Sequence, residues 1–589
     1  MKALFVIDRI DTICHMAAVT KERISASTKL NDRVKPFLGT IMNQDKYIIF
    51  LASQNRKIIV EPGQKIIEAL VNEGILLRAD CGGKGRCGKC RIKILEAGEN
   101  GISPPSQAET DALSQKDIQA GYRLACHTTI TGDIAIDIPQ SSLLSPEVAQ
   151  KGPPMLQDPL PAGRIPSQFA GDYGIAVDLG TTTIAVYLCD FGANKVTGST
   201  SMRNPQIIYG DDVMSRITAV YRDADRLKQL QKMAVKAMEW GVGSLCRSSD
   251  VDPHTIATMV IVGNSTMIHL FLGEDPTSIG VFPYEPLFKE EKSVTAKSLG
   301  LTFNPAAEVR TLPLISGFLG ADIVGATLAA DLGTQAQGTL LADVGTNGEI
   351  IFLGKDGFSA TSCATGPAFE GASIRHGMHA ISGAIDAVKV DAHTGKATCS
   401  VIQKNPNRPK KVAGLCGSGV VSAVAELFRA GLILNDGRFN TEAAPELFQY
   451  EDELPEYILA QGEETLSGKA VTLAQKDIRA IQLAKGALYA GIQMLCNEKG
   501  YEQPSRLLIA GAFGSYIEKE DALTIGMFPA LPADRIEIVG NAAGAGAVLT
   551  LFDDTYREKA RELVQETEVL ELALHPDFQD IFIKSLAFP

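Results

Sequence analysis

The chain has 589 residues, 45% of them apolar and 21% charged, and its 56 lysines and arginines against 69 aspartates and glutamates give a net charge of −13. Apolar content at the globular average excludes a largely disordered protein, and the length calls for several domains. The acidic balance argues against nucleic acid or an anionic lipid surface as partner, and without an apolar run of ~18 residues no membrane span is expected.

The N-terminus offers only Ala3 to Ile7 before Asp8, Arg9 and Asp11, too short and too acidic for a signal peptide, so a cytoplasmic location is expected. Residues 1–45 show no clear period and read as an N-terminal extension, with Met42 as an alternative start ahead of the strand signal at Lys46 to Leu51. Residues 46–138 form the first domain. Tyr47–Ala52 and Lys57–Val60 read as a hairpin. Ile66, Ile67, Leu70 and Val71 mark one face of a helix that Gly74 stops. A loop rich in glycine and cysteine spans 81–90, and strands at Arg91–Leu95 and Asp133–Ile138 complete the unit. Seven prolines between 139 and 166 exclude a helix or central strand and predict an extended linker over 139–172.

The rest alternates strands and helices in the α/β manner and carries a weak internal repeat. Tyr173 to Thr183 is echoed by Leu340 to Asn347: each is an apolar strand ending in Asp, a Gly-Thr turn, and a second apolar strand (Ile184–Leu188 and Glu349–Leu353). Val260 to Asn264 is echoed by Leu508 to Ala512, both read as buried strands breaking at glycine into a helix. Two similar halves around a cleft, 173–334 and 335–555, are expected, with 556–589 as a C-terminal tail.

Of eleven cysteines, Cys81, Cys87, Cys90 and Cys126 fall within 46 positions. In a reducing compartment such a cluster reads as metal-binding or redox-active. Four thiolates could hold zinc or an iron–sulfur cluster, but the Cys-x5-Cys-x2-Cys spacing has one knuckle where a zinc ribbon has two. Gly82, Gly83, Gly85 and Gly88 admit the left-handed backbone that lets a loop wrap bridging sulfides closely and aim N–H groups at sulfur. Two other patterns in this loop fail. Gly83-x-Gly85-x-x-Gly88 lacks the strand–turn–helix setting of a dinucleotide site, and Gly83-x4-Gly88-Lys89 has Cys90 where a Walker A needs Ser or Thr. In spacing and glycine placement 46–140 resembles vertebrate- and bacterial-type [2Fe-2S] ferredoxins. That resemblance implies Cys81, Cys87, Cys90 and Cys126 as the cluster ligands and His127 as a bystander.

Asp178-Leu179-Gly180-Thr181-Thr182-Thr183 and Asp343-Val344-Gly345-Thr346-Asn347-Gly348-Glu349 share a physical logic. A strand ending in Asp delivers a carboxylate for hydrated Mg²⁺, glycine allows a tight hairpin, and hydroxyls and N–H groups then face phosphate oxygens. The glycine-rich Gly511 to Ser515, at a strand end, would let a base approach backbone. The set resembles the superfamily of sugar kinases, heat-shock ATPases and actin. The resemblance implies ATP with Mg²⁺, catalytic Asp178 and Asp343, phosphate contacts from Gly180, Thr181, Thr182, Thr183, Gly345, Thr346 and Asn347, and adenosine contacts from Gly511, Gly514 and Ser515. Asp343 and Glu349 are the candidates for activating water.

A ferredoxin module and an actin-like ATPase on one chain resemble the reductive activators of corrinoid-dependent methyltransferases. So do Asn204 to Val213, Cys363 to Gly371, Gly414 to Gly419 and His575 to Phe578. The implied fold is multidomain α+β and α/β: a β-grasp [2Fe-2S] domain, then a duplicated actin-like (ribonuclease H-like) ATPase domain. The implied activity is ATP-dependent transfer of an electron from the cluster to the cobalt(II) of a corrinoid protein, restoring cobalt(I). An external low-potential electron donor and a corrinoid protein are the implied partners, and a homodimer stays open. The 51 residues between Cys126 and Asp178 are fewer than in longer members, which carry an extra middle domain there. The rivals are a ferredoxin-type carrier whose actin-like domain is a nucleotide-dependent docking switch, and a small-molecule kinase with a redox-sensing domain. Cys363 and Cys416 are expected to be packing residues, Arg375, His376 and His379 a solvated loop, and Asp477, Arg479, Gln482 and Lys485 an ordinary polar helix face.

Overall fold

The computed structural model describes residues 46–144, except 80 and 99, and residues 173–589, except 372, 379, 404–409 and 512–516. The expected extension and most of the expected linker lie outside the described residues. The chain divides into two compact units that part after Leu144. No helix among the described residues is long and apolar enough to cross a membrane.

The first unit has five strands: β1 (Tyr47–Leu51), β2 (Arg56–Val60), β3 (Arg91–Ala97), β4 (Tyr122–Leu124) and β5 (Ile134–Asp137). Their order is β2-β1-β5-β3-β4, with β1 and β5 parallel and the other pairs antiparallel. The helix Ile66–Asn72 buries Ile66, Ile67, Ala69, Leu70 and Val71. Each large side chain so removed from water contributes ~1.5–3 kcal/mol. The chain then turns at Gly74, whose φ of 77° suits a residue without a Cβ. This is the β-grasp layout expected.

Two short helices, Gln107–Ala112 and Gln115–Gln119, and strand β4 were not anticipated. Ser106 and Glu109 form a reciprocal capping box on the first helix. Glu109 is fully buried, accepting from Arg123 Nε and Nη2 (both 2.9 Å) and from the Leu124 backbone N–H (3.0 Å). The linker also begins later than Pro139. Leu144 N–H donates to Leu76 O (2.8 Å) and Arg78 N–H to Ser142 O (2.9 Å), which fastens 139–144 to the first unit.

The second unit repeats one sheet plan. In its first half β6 (Tyr173–Leu179), β7 (Thr183–Asp190), β8 (Lys195–Arg203), β9 (Ile256–Val262), β10 (Ser293–Thr295) and β11 (Glu308–Thr311) take the order β10-β11-β9-β6-β7-β8. In its second half β12 (Thr339–Val344), β13 (Gly348–Gly354) and β14 (Gly357–Cys363) form the antiparallel part. After three-stranded sheets built from β15 (Ala384–Val390), β16 (Ala397–Val401) and β17 (Gly414–Leu415) and from β18 (Phe448–Glu451), β19 (Leu454–Ala460) and β20 (Val471–Ala474), the chain returns with β21 (Arg506–Ala510), β22 (Ile536–Gly540) and β23 (Glu568–Val569). The order β22-β21-β12-β13-β14-β23 matches the first sheet, with β6 and β12 each flanked by an antiparallel hairpin partner and a parallel neighbour. The helices after β11 and β22, Ala321–Ala329 and Ala542–Phe552, pack backbone to backbone. A Cβ on Gly546 would lie 2.1 Å from Gly325 O.

Two expectations need correction here. Residues 556–589 are not a separate tail: β23 pairs with β14, helix Phe578–Lys584 packs on helix Gln475–Glu498, and Phe588 is buried. Asp477, Gln482 and Lys485 are buried rather than solvated, because they tie loops to that helix. Asp477 accepts from Arg375 N–H (2.9 Å), Gln482 donates to Leu586 O (2.9 Å), and Lys485 donates to Ala587 O.

Burial alone would raise the Glu109 carboxyl, yet the Arg123 guanidinium and the N–H groups of Ser106 and Leu124 hold it below the ordinary value. Its contribution is therefore present above the unfolded pKa near 4.5 and lost as pH falls through the lower folded value. Glu109→Gln should strand the buried Arg123 and cost the first unit about 3 kcal/mol, read by chemical denaturation.

Candidate functional site

Cys81, Cys87 and Cys90 lie on the loop leading into β3, and Cys126 follows β4. The loop glycines take φ of 61° (Gly82), 75° (Gly83), 74° (Gly85) and 62° (Gly88), a region that side chains with a Cβ rarely enter. Gly85 has a second constraint, since a Cβ there would lie 2.7 Å from both Ala108 Cβ and His127 Nε2. The thiols come as two pairs. Cys90 Sγ is 3.2 Å from Cys126 Sγ, and Cys81 pairs with Cys87, whose side-chain hydrogen bond brings the Cys81 pKa down to about 5. Contact with Cys126, then burial, pushes Cys90 up. Two thiols for each of two irons is the donor set a binuclear cluster takes, so these residues fit the group. His127 is turned to Ser106, Nδ1 to Oγ 3.2 Å, and packs over Gly85.

In the second unit the two Asp-x-Gly-Thr hairpins face one another across a cleft of about 640 Å³ that is partly open to solvent. Each hairpin is closed by its glycine, though the second loop is one residue shorter: Gly180 N–H donates to Thr183 O and Gly345 N–H to Asn347 O, both 3.0 Å. The Thr182 and Thr346 hydroxyl oxygens meet at 3.1 Å, joining halves 164 positions apart. Asp178, Gly180, Thr181, Thr182, Thr183, Asp343, Gly345, Thr346, Asn347, Glu349 and Gly511 all line the cleft, as the sequence suggested. Gly511 has φ 95°, and a Cβ there would lie 2.6 Å from Asp343 Oδ1. Gly514 and Ser515 lie outside the described residues, as does His379.

Several lining residues were missed. Asn264 caps helix Ser265–Leu272 and donates to Thr181 Oγ1 (2.8 Å), and Asn541 donates to Asp178 Oδ2 (2.9 Å). Asp322 heads helix Ala321–Ala329, and Glu370 accepts from Thr346 Oγ1 (3.1 Å). Behind the first hairpin three successive carbonyls are held: Gly180 O by Asn204 Nδ2 (2.9 Å), Thr181 O by the buried Arg216 (2.5 Å) and Thr182 O by Asn204 N–H (2.8 Å). The Gly263-Asn264 and Gly540-Asn541 strand ends were visible signals. Nothing local marks Asp322.

The cleft gathers carboxylates. Burial, with Asp322 alongside, raises Asp178 to about 7. Burial raises Asp322 to about 6, and burial with Asp322 and Asp178 nearby raises Asp343 to about 8. Glu349 is pushed well up by burial and by Asp322 and Asp343. Elsewhere, Cys363 and Cys416 are buried packing residues, as expected. Arg375 corrects another expectation: it is not solvated but ion-paired with Glu451 and Glu456.

The model described as the C-terminal domain of RACo, the ASKHA domain, matches residues 337–589, and the RACo middle region matches 173–335. The 2Fe-2S iron–sulfur cluster binding domain matches 49–131. A corrinoid activation enzyme of Eubacterium limosum, RamQ, is 32% identical over 88% of this chain and 96% of its own. The [Co(II) methylated amine-specific corrinoid protein] reductase of Methanosarcina barkeri is 24% identical over 71% of this chain and 77% of its own. A solved reductive activator for corrinoid, iron–sulfur protein superposes with a TM-score of 0.65 at 28% identity, covering 92% of this chain and 98% of that one. The RACo middle region thus falls on the first ATPase half.

Acids whose folded pKa is raised stabilise the fold below their unfolded pKa, and that contribution is lost as pH rises through the folded value. For Asp178 and Asp343 the loss is complete above about 7 and 8. Calorimetry of the cation-free chain should show the second unit melting lower as pH rises from about 5 to about 8, and added Mg²⁺ should flatten that trend.

Proposed function

The chain belongs to the RACo family, and we propose that it is an ATP-driven reductive activator that passes an electron from a [2Fe-2S] cluster to the cobalt(II) of a methyltransferase system's corrinoid protein, restoring cobalt(I). The near full-length match to a corrinoid activation enzyme carries this reading, because it spans the four-thiol loop and the carboxylate cleft together. Cys81 and Cys87 would hold one iron, Cys90 and Cys126 the other. When bound, the cluster supplies a one-electron carrier, recharged by an external low-potential donor in a cytoplasmic setting.

ATP has a thermodynamic task here. Plant-type clusters sit near −400 mV, and each 100 mV uphill from there costs about 2.3 kcal/mol per electron. In the cleft, Asp178 and Asp343, with Glu349, would organise Mg²⁺, which binds through one or two carboxylates plus phosphate oxygens. The N–H and hydroxyl groups of Gly180, Thr181, Thr182, Thr183, Gly345, Thr346 and Asn347 would hold the phosphates, with Gly511, Gly514 and Ser515 toward the adenosine. Nucleotide binding and hydrolysis would then shift the docked corrinoid protein to a reducible state.

With a chemical reductant, ATP and a cobalt(II) corrinoid protein, cobalt(I) formation followed by its visible spectrum should need both units. Cys87→Ser should abolish it while sparing ATP turnover. Asp343→Asn should spare the cluster spectrum and slow ATP-dependent reduction about 10²-fold or more. Equal rates with and without ATP would overturn the proposal in favour of a simple electron carrier.

A further inference from the structure

We infer that Glu370 is the catalytic carboxylate that orients the attacking water and takes its proton during ATP hydrolysis, a role that rests on the ATPase reading above and assigns its base. Five carboxylates line the cleft: Asp178, Asp322, Asp343, Glu349 and Glu370. The first four act on one another as a single repelling group, the arrangement that a divalent cation neutralises. Glu370 stands outside that group. The charges acting on it are the guanidinium groups of Arg203 and Arg216. Hydroxyl and guanidinium groups act on it rather than another carboxylate.

Its position is equally specific. Glu370 ends the short turn Pro367–Glu370, which follows Gly366 at φ 68°. Its Oε1 accepts from Thr346 Oγ1 (3.1 Å), and the Thr182 hydroxyl is next in line beyond it. Those two hydroxyls are themselves 3.1 Å apart. Glu370 thus sits where the two phosphate hairpins meet, the end of the cleft that a terminal phosphate would occupy. Its other oxygen, Oε2, is buried without a hydrogen-bond partner. A buried acceptor without a donor is costly, and a water molecule entering with the phosphate is a donor small enough to satisfy it.

The step balances with no further reactant. The water oxygen forms a bond to the γ-phosphorus as its proton passes to Glu370 Oε2. The bond from that phosphorus to the bridging oxygen breaks, and its electron pair leaves with ADP. The proton then passes from Glu370 to the phosphate released.

Glu370→Gln keeps the shape and an acceptor for Thr346 but cannot take the proton. In the full-length, cluster-loaded chain with MgATP it should lower steady-state turnover about 10²- to 10³-fold while the ATP dissociation constant stays within about threefold. Turnover within threefold of wild type would overturn the assignment. Should Glu370→Gln lose nucleotide binding too, Glu370→Ala decides: turnover restored by added formate supports a base at this position, and no restoration overturns it. A wild-type chain with no ATP turnover would instead remove the ATPase reading beneath it.

Discussion

The gathering of Asp178, Asp322 and Asp343, each half-buried, with the buried Glu349 around one cleft is the constraint on which the second unit turns. Among the described residues, no Lys, Arg or His lines that cleft. Desolvating several carboxylates together is unfavourable unless protons or a cation offset the charge. The duplicated sheets create the problem by design: β6 and β12 end at equivalent depths, each delivering an aspartate toward the other half. Asn541 relieves Asp178 by one hydrogen bond, and helix Ala321–Ala329 offers Asp322 its own first-turn N–H groups. These contacts soften the repulsion without cancelling it.

Hydrogen bonds, an Arg310–Asp554 ion pair and helix packing all join the halves, and two of these contacts differ in how readily they exchange. The helices Ala321–Ala329 and Ala542–Phe552 approach so closely that Gly325 and Gly546 leave no room for a Cβ. That contact is dense, apolar and independent of any ligand. The Thr182–Thr346 contact is a single hydrogen bond between two hydroxyls, one of which, Thr346, also donates to Glu370, so it can be exchanged far more readily than the helix packing.

Much of this was legible in the sequence, for identifiable reasons. The hairpin at β1–β2, helix Ile66–Asn72 and the paired Asp-x-Gly-Thr hairpins each show a local period or turn residue that burial then reinforces. The helices Gln107–Ala112 and Gln115–Gln119 were missed although Ser106–Glu109 and Ser114–Asp117 carry the capping spacing, because neither helix is long enough to show a hydrophobic face. Polar residues misled in the opposite direction. Asp477, Gln482 and Lys485 have helical spacing suited to a solvent face, and only the Arg375 loop over Asp477 and the return of residues 586–587 over Gln482 and Lys485 turn them into an interior seam. Asp322 and Glu370 reach the cleft through tertiary contacts that no local pattern records.

The segment that carries Glu370 shows how a small change at the phosphate end can be confined or passed on. Shortly after Glu370 the chain is fastened by Arg375, which pairs with Glu456 on β19 and donates its backbone N–H to Asp477 on helix Gln475–Glu498. It then docks on the small sheet, where Met378 N–H donates to Leu415 O (2.8 Å). The pair is hard to disrupt from one side, since Glu456 is buried and would be left a desolvated charge if Arg375 withdrew, with, among the described residues, only Gln449 and Thr472 donating to it. Movement at Glu370 must therefore be absorbed between Gly371, at φ 78°, and Ile374, or else carry the whole small sheet with it. The first outcome keeps hydrolysis local to the cleft. The second requires both halves to shift about the Gly325–Gly546 contact, and only that motion would reshape a surface large enough for a partner protein to sense.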